Sequence, residues 1–158
     1  MAHVDAAVTA AVGIVLRYGG FYGAPDAMTK AVRQRRYPMV GDGTGIAPSI
    51  HLDDAASATV LALEHDGPAV YYVADHDPAP MREWFPVLAR ALGAQRPFRI
   101  PDWPPRLIMG EDLLRMQSEC HGASNAKAKK ELSWTLRYPS WRDGFPGSCG
   151  EQDGTRNA

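Results

Sequence analysis

The stretch GIVLRYGGFYG, Gly13 to Gly23, constrains the fold more than any other part of the chain. Its apolar run Ile14-Val15-Leu16 passes through Arg17 and Tyr18 into two adjacent glycines, then Phe21-Tyr22-Gly23. A short apolar run bounded by turn residues reads as a buried strand. Paired glycines at its carboxyl end strip side chains from the space beyond. In open parallel sheets ligands sit at that end of the strands, where backbone can approach closely. A tight turn explains the same glycines without a ligand. The strand needs a neighbour, and AVYYVAD (69–75), rich in residues that favour extended backbone, is the clearest other strand.

The remaining pieces alternate with these two. Residues 3–12 have helical composition, and Gly19, Gly20, Gly23 and Pro25 mark a loop. A short helix over 26–36 is expected to end in the basic Arg33, Arg35 and Arg36, followed by an extended piece within 37–45 closed by Asp42-Gly43. SIHLDD is a second extended piece, after which Asp53 or Asp54 is expected to cap a helix with Ala56, Val60, Leu61 and Leu63 on its apolar face. MREWFPVLARALGA reads as a helix ended by Gly93, with Pro86 implying a kink or a first turn later than Met81. RPFRIPDWPPRL is extended, a helical stretch runs from about Leu107 to Met116, and Ser124 is expected to cap NAKAKKELSW. Strand and helix in this alternation give an α/β architecture, with too few pieces for a complete doubly wound sheet.

Bulk properties exclude several classes of function. The 158 residues fit one compact unit, and a formal net charge of −1 offers no bulk attraction to nucleic acid or to an anionic membrane. No apolar run reaches the roughly 18 residues of a spanning helix, and the apolar N-terminus lacks the basic region of a signal peptide. Cys120 and Cys149 form no CxxC and have no histidine at zinc-ligand spacing, so a reduced, cytoplasmic protein is expected.

Isolated motifs mostly have structural explanations. Ser124 and Lys127 make an S-x-x-K, but no S-D-N or K-T-G accompanies it and helix capping accounts for the serine. His51, Asp53 and Asp54 could ligate a metal, with Asp75-His76-Asp77 as the nearest second cluster; capping and packing explain them better. The arginines at 33, 35 and 36 read as a solvated helix face, with a phosphate contact as the alternative. Trp84, Trp103, Trp134 and Trp141 have no regular spacing and read as packing residues.

Taken in order, GIVLRYGGFYGA, VGDGTG with SIHLDDAASATVLALE, VYYVADHDPAPMREW, and SNAKAKKELSW with YPSWRDGF resemble the carboxyl-terminal half of extended short-chain dehydrogenase/reductases, the NAD-dependent epimerase/dehydratase group. The resemblance covers residues 3 to 145. It implies the carboxyl-terminal part of a Rossmann-like parallel sheet, with Ile14–Tyr18 as its sixth strand and the 69–75 run as the seventh. It further implies a remnant of the Rossmann-like domain over 1–79 and a small substrate subdomain over 80–145, while the small, polar composition of 146–158 reads as a disordered tail. Gly19, Gly20, Phe21 and Tyr22 would line the nicotinamide side of the crevice for NAD or NADP, and Gly20 and Tyr22 would also meet the substrate.

Two family features are missing. No Gly-rich phosphate turn follows a strand here, and the residue four places after each tyrosine is Tyr22, Asp26, Gly41, Asp75, His76 or Arg142, never the lysine of Tyr-x-x-x-Lys. Without that lysine beside a phenol, no residue has the activated proton-transfer role the family chemistry requires. Gly20 stands where members acting on nucleotide sugars often have Asn, and Ala47-Pro48 stand where they often have an Arg for the diphosphate. The implied protein is half an enzyme, inactive alone and holding cofactor weakly. Its partner would be a missing N-terminal half or another copy of itself; the alternative is a non-catalytic module docking through its sheet edge.

Overall fold

The computed structural model describes residues 5–8, 13–101 and 124–150, with side chains described up to Pro146. The first half holds β1 (Ile14–Tyr18), β2 (Gly20–Tyr22), α1 (Ala27–Arg33), β3 (Met39–Val40), β4 (Ile46–Ala47), β5 (Ser49–His51) and α2 (Leu52–Leu63). The second holds β6 (Ala69–Val73), β7 (Ala79–Pro80), α3 (Met81–Ala91), β8 (Arg99–Ile100), α4 (Ala126–Glu131) and α5 (Trp141–Gly150). The expected helix over 107–116, Trp103, Cys120 and residues 151–158 lie outside the described residues.

The two strands expected to be neighbours are parallel partners, with Ile14 opposite Ala69 and Tyr18 opposite Val73. Three shorter pairings surround them. β2 runs parallel to β5, β3 parallel to β8, and β4 antiparallel to β7. Among the described residues β1 has a strand on one side only. It is accordingly half-buried, not the buried strand its apolar run suggests, whereas Tyr71 and Val73 on β6 are wholly buried.

Two cores hold these elements. The first gathers Ile50, Tyr71 and Val73 with Ala55, Ala58 and Ala62 of α2, and with Ala128, Leu132, Trp134 and Leu136 from around α4. The second joins Tyr22, Val32 and Met39 to Met81, Trp84, Phe85 and Leu88 of α3, and to Trp141 and Phe145 of α5. Each fully buried large side chain contributes about 2–3 kcal/mol by leaving water. The three described tryptophans are therefore packing residues, as expected.

Several helix details differ from expectation. α2 begins directly at the end of β5, so its N-cap is His51, whose Nδ1 accepts the backbone N–H of Asp53 at 3.1 Å. Asp53 and Asp54 fall inside the first turn, too late to cap, where their charge still favours the helix dipole. The buried face of α2 carries Ala55, Ala58 and Ala62, while Ala56, Val60 and Leu63 point outward. Small side chains let the helix lie close to the sheet, and this overrides the larger apolar residues that suggest the other face. The N-cap of α4 is Asn125, not Ser124, and Asn125 uses its side chain on the carbonyl of Ala74 at 2.6 Å.

α1 is capped by Asp26 in a reciprocal box with Thr29. α3 starts at Met81 and continues past Pro86, so the later first turn does not occur. The N–H that Pro86 forfeits is tolerated because Trp84, Phe85, Leu88 and Ala89 anchor the helix in its core. α5 continues to Gly150, beyond the point after Phe145 where the composition suggests disorder.

Asp54, wholly buried, connects the first core to the segment beyond it. Its carboxylate accepts the backbone N–H groups of Arg137 at 2.7 Å and Tyr138 at 2.9 Å. Asp54→Ala removes the acceptor of both part-buried donors, at a cost of about 1–3 kcal/mol. Asp54→Asn, which keeps one acceptor, should lose about half as much. Urea denaturation of the two variants measures the difference.

Candidate functional site

The crevice is built where β2 ends against the β4–β5 corner and the face of α3. β1 reaches it through Gly19, whose N–H donates to Val73 O at 2.9 Å, and Gly20, whose N–H donates to Pro48 O at 2.8 Å. A Cβ on Gly19 would come within 2.8 Å of Pro48 O, so this glycine is required by close backbone approach. Gly20 is different: a Cβ there would meet only Pro48 O, at an ordinary 3.7 Å. Gly23 closes the turn at φ +105, with no room for a Cβ beside the His51 ring.

A cavity of about 300 Å³ opens at this point. Gly20, Phe21 and Tyr22 form one wall, Ala47, Pro48 and Ser49 a second, and Met81, Trp84 and Phe145 a third. The structure thus brings Gly20, Phe21 and Tyr22 together on one cavity, with Gly19 behind them in the sheet. Phe21 is 46% exposed, whereas Tyr22 is 6% exposed.

Tyr22 is held by aromatic edges. His51 and Phe145 meet its ring in T-shaped contacts at 5.2 and 5.0 Å, and Tyr138 stacks on the far side of His51 at 3.9 Å. Gly144 passes close enough that a Cβ there would lie 2.4 Å from the Tyr22 ring. Burial first, then the charges of Asp75, Asp54 and Asp143, push the Tyr22 phenol above its usual range. It is a firmly protonated donor and not a proton-abstracting phenolate. Burial lowers the His51 pKa, keeping it the neutral ring that an N-cap acceptor must be.

The remaining candidates hold structure together. Asp75 accepts from Trp141 N at 3.2 Å and Asp77 N at 3.2 Å. Asp77 receives Ser140 Oγ and Arg142 Nε, each at 2.9 Å, and its carbonyl accepts Trp141 Nε1 at 2.8 Å. Lys127 donates to Val70 O at 3.3 Å and lies over the Tyr71 ring, so the S-x-x-K lysine is spent on the sheet. Among the described residues no cluster of three metal-ligating side chains exists. Arg35 donates to Gln95 Oε1 at 2.7 Å and adopts φ 55 in the turn after α1.

Sequence reasoning missed Trp84, Met81 and Phe145 as cavity walls, because a helical apolar stripe reads as core. The expectation that the chain holds no G-x-x-G-x-x-G is also wrong as to spacing, since Gly144, Gly147 and Gly150 have it. Those glycines lie within α5 and not at a strand-to-helix turn, so the spacing forms no phosphate cradle.

The parallel β1–β6 pair, the helices packed on it and a cavity at the carboxyl end of β2 define a Rossmann-like α/β protein. No protein-family model matches the chain. A 3-diazoavenalumate denitrifying reductase from a Streptomyces species is 36% identical over 139 residues, which is 84% of this chain and 46% of that protein. The human epimerase family protein solved with NADPH superposes with a TM-score of 0.73 at 19% identity, covering 89% of this chain and 49% of that one. A dTDP-glucose 4,6-dehydratase from Streptomyces venezuelae solved with NAD gives 0.72 at 18% identity, over 94% and 48% respectively. The chain thus has the fold of these epimerase- and dehydratase-type proteins, and in sequence it is similar to the Streptomyces reductase. It spans about half the length of the curated relative it matches, which is consistent with the carboxyl-terminal half. Among the described residues no helix is long and apolar enough to cross a membrane.

Asp75 makes a pH dependence predictable. Burial raises its pKa from 3.8 to about 6, outweighing the two backbone donors that lower it. A raised carboxyl stabilises the fold when protonated, so its contribution is complete below 3.8 and is lost as pH rises through about 6. The native protein should therefore gain about 2–3 kcal/mol relative to Asp75→Asn between pH 8 and pH 4. Parallel denaturation curves across that range test it.

Proposed function

We propose that the chain supplies the nicotinamide-side crevice and the substrate subdomain of an NAD(P)-dependent reductase or epimerase, and that it is inactive alone. The observation that carries this is the cavity at the strand end, walled by Gly20, Phe21 and Tyr22 on one side and by α3 and α5 on the other. The residues present suit one wall of a cofactor site. Gly20 is open, and the exposed Phe21 ring offers an apolar face against which a flat ring can lie. The phosphate-binding turn and the Tyr-x-x-x-Lys pair do not occur in this sequence. Bound nicotinamide would supply hydride chemistry; this chain's residues would orient the substrate and exclude water from it.

Most dinucleotide affinity comes from pyrophosphate seated at a helix N-terminus after the first strand. The chain alone should therefore show no saturable NAD(H) or NADP(H) binding at micromolar concentration. Calorimetric titration checks this, and a one-to-one micromolar site would refute it.

Complementation tests the role itself. Co-expressing the chain with the part of the Streptomyces reductase that it does not match should give NAD(P)H-dependent turnover that neither piece shows alone. Gly20→Val should abolish that turnover while changing stability by less than about 1 kcal/mol, since its Cβ meets only ordinary contact.

A second reading rests on β1, which has one strand neighbour among the described residues, and on the outward Tyr18 and Phe21. An unpaired edge is a template for association. On the first reading, the isolated chain self-associates or melts at low temperature. A monodisperse monomer with a cooperative, high-temperature melt would instead favour an independent binding module.

A further inference from the structure

We infer that the basic face formed by the end of α1, the end of α3 and β8 is an interaction surface for an acidic polypeptide segment of a partner protein. The inference does not depend on the crevice.

Sequence supplies the charge. Residues 27–41 and 84–101 hold seven of the chain's 17 basic residues and none of its 18 acidic ones. The rest of the sequence sets ten basic residues against all 18 acids, so the net charge of −1 conceals an uneven distribution. Six of the seven are arginine, whose planar fork matches a carboxylate in a bidentate pair.

The fold brings the two segments together. β3 runs parallel to β8 with Met39 opposite Arg99, and Met39 N donates to Phe98 O at 2.9 Å. Arg35 Nη1 donates to Gln95 Oε1 at 2.7 Å, tying the turn after α1 to the loop after α3. Tyr37 meets Phe85 edge-on at 5.5 Å, and Val32 shares a core with Leu88 and Ala89. The flanking acids stand at the other ends of these elements. Asp26 caps the start of α1, Asp42 follows β3, and Glu83 in the first turn of α3 lies 3.6 Å from Arg142.

All seven cations are exposed, and among the described residues none forms an ion pair. Arg17, Lys127, Arg137 and Arg142, outside this face, each have an acidic partner. Lys30, Arg33 and Arg90 lie in last helical turns, where each also offsets the negative helix end. Arg35, Arg36, Arg96 and Arg99 lie outside the helices and have no such use.

The kind of anion follows from what the face lacks. No exposed large apolar side chain falls within 27–41 or 84–101, and Tyr37 and Phe98 are half-buried. The face therefore offers a membrane nothing to insert and nucleobases nothing to stack on. A nucleic-acid duplex carries one charge per about 1.7 Å along its whole length, past the face and beside a chain whose remaining charge is acidic. A short acidic segment covers the face alone and is steered to it without that repulsion.

Fluorescence anisotropy on the whole chain, with a labelled peptide of about ten glutamates, tests this. Binding should weaken roughly 10-fold or more between about 50 mM and about 300 mM salt. Arg36→Glu combined with Arg96→Glu should weaken the low-salt affinity about 10-fold or more, with the melting temperature unchanged or higher because like charges are relieved. Arg36→Gln with Arg96→Gln, which removes charge without reversing it, should lose part of that affinity. Lys130→Glu, one charge reversal on exposed α4, should change it less than about twofold. A DNA duplex of about ten base pairs and phosphatidylserine vesicles should each bind more weakly than the peptide. Undetectable peptide binding, tighter binding of duplex or vesicle, or equal loss in Lys130→Glu and the paired variants would overturn the inference. Self-association that disappears in the paired glutamate variant would make a second copy the occupant, and would equally overturn it.

Discussion

Two buried acidic side chains tie distant parts of the backbone together. Asp54 receives the backbone N–H groups of Arg137 and Tyr138, and Asp75 receives that of Trp141. Both groups are about 2% exposed, so each must find donors inside the protein. The donors come from the stretch between α4 and α5 and from the first residue of α5, and this fixes where α5 begins. α5 in turn places Gly144 and Phe145 against Tyr22. The cavity wall is thus set by carboxylates that do not touch the cavity. Neither acid resembles a surface ion pair, and the contacts of Arg137 and Arg142 with Asp53, Asp77 and Glu83 are peripheral by comparison.

The parallel pairing of Ile14–Tyr18 with the 69–75 run was legible because both segments are short, apolar and bounded by turns. The likeness of the fold to epimerase- and dehydratase-type proteins was legible because four weak segments fall in one order. What failed was local polarity. Asp53 and Asp54 look like caps by residue type, but the strand-to-helix junction at His51 leaves no loop residue for them to occupy. Leu63 and Val60 look like core by hydropathy, yet α2 approaches the sheet through alanines. Both errors arise because one-dimensional pattern carries no information on how closely two elements approach. The cavity was half legible: Gly20, Phe21 and Tyr22 announce themselves at a strand end, whereas Trp84 and Phe145 reach it only through tertiary packing.

Gly20, Ala47 and Pro48, far apart in sequence, lie on neighbouring walls of the same cavity, and all three are small and apolar. Tyr22 lines it too. Its phenol is kept protonated by burial and surrounding carboxylates, and its hydroxyl has no described protein partner.

The long sequence separation of the carboxylate contacts has a consequence for biogenesis. Asp54 lies 83 and 84 residues before its donors, and Asp75 lies 66 residues before its own. At roughly 5–20 residues per second, translation leaves these acids without their distant partners for several seconds after they emerge from the ribosome. During that interval β6 and α2 exist, but the segment that covers their acids does not. The nascent chain must therefore hold two hydrated carboxylates at what will become its interior, and the first core closes only when almost the last helix is delivered. A ribosome stalled before residue 137 would present an open sheet that no amount of waiting could complete.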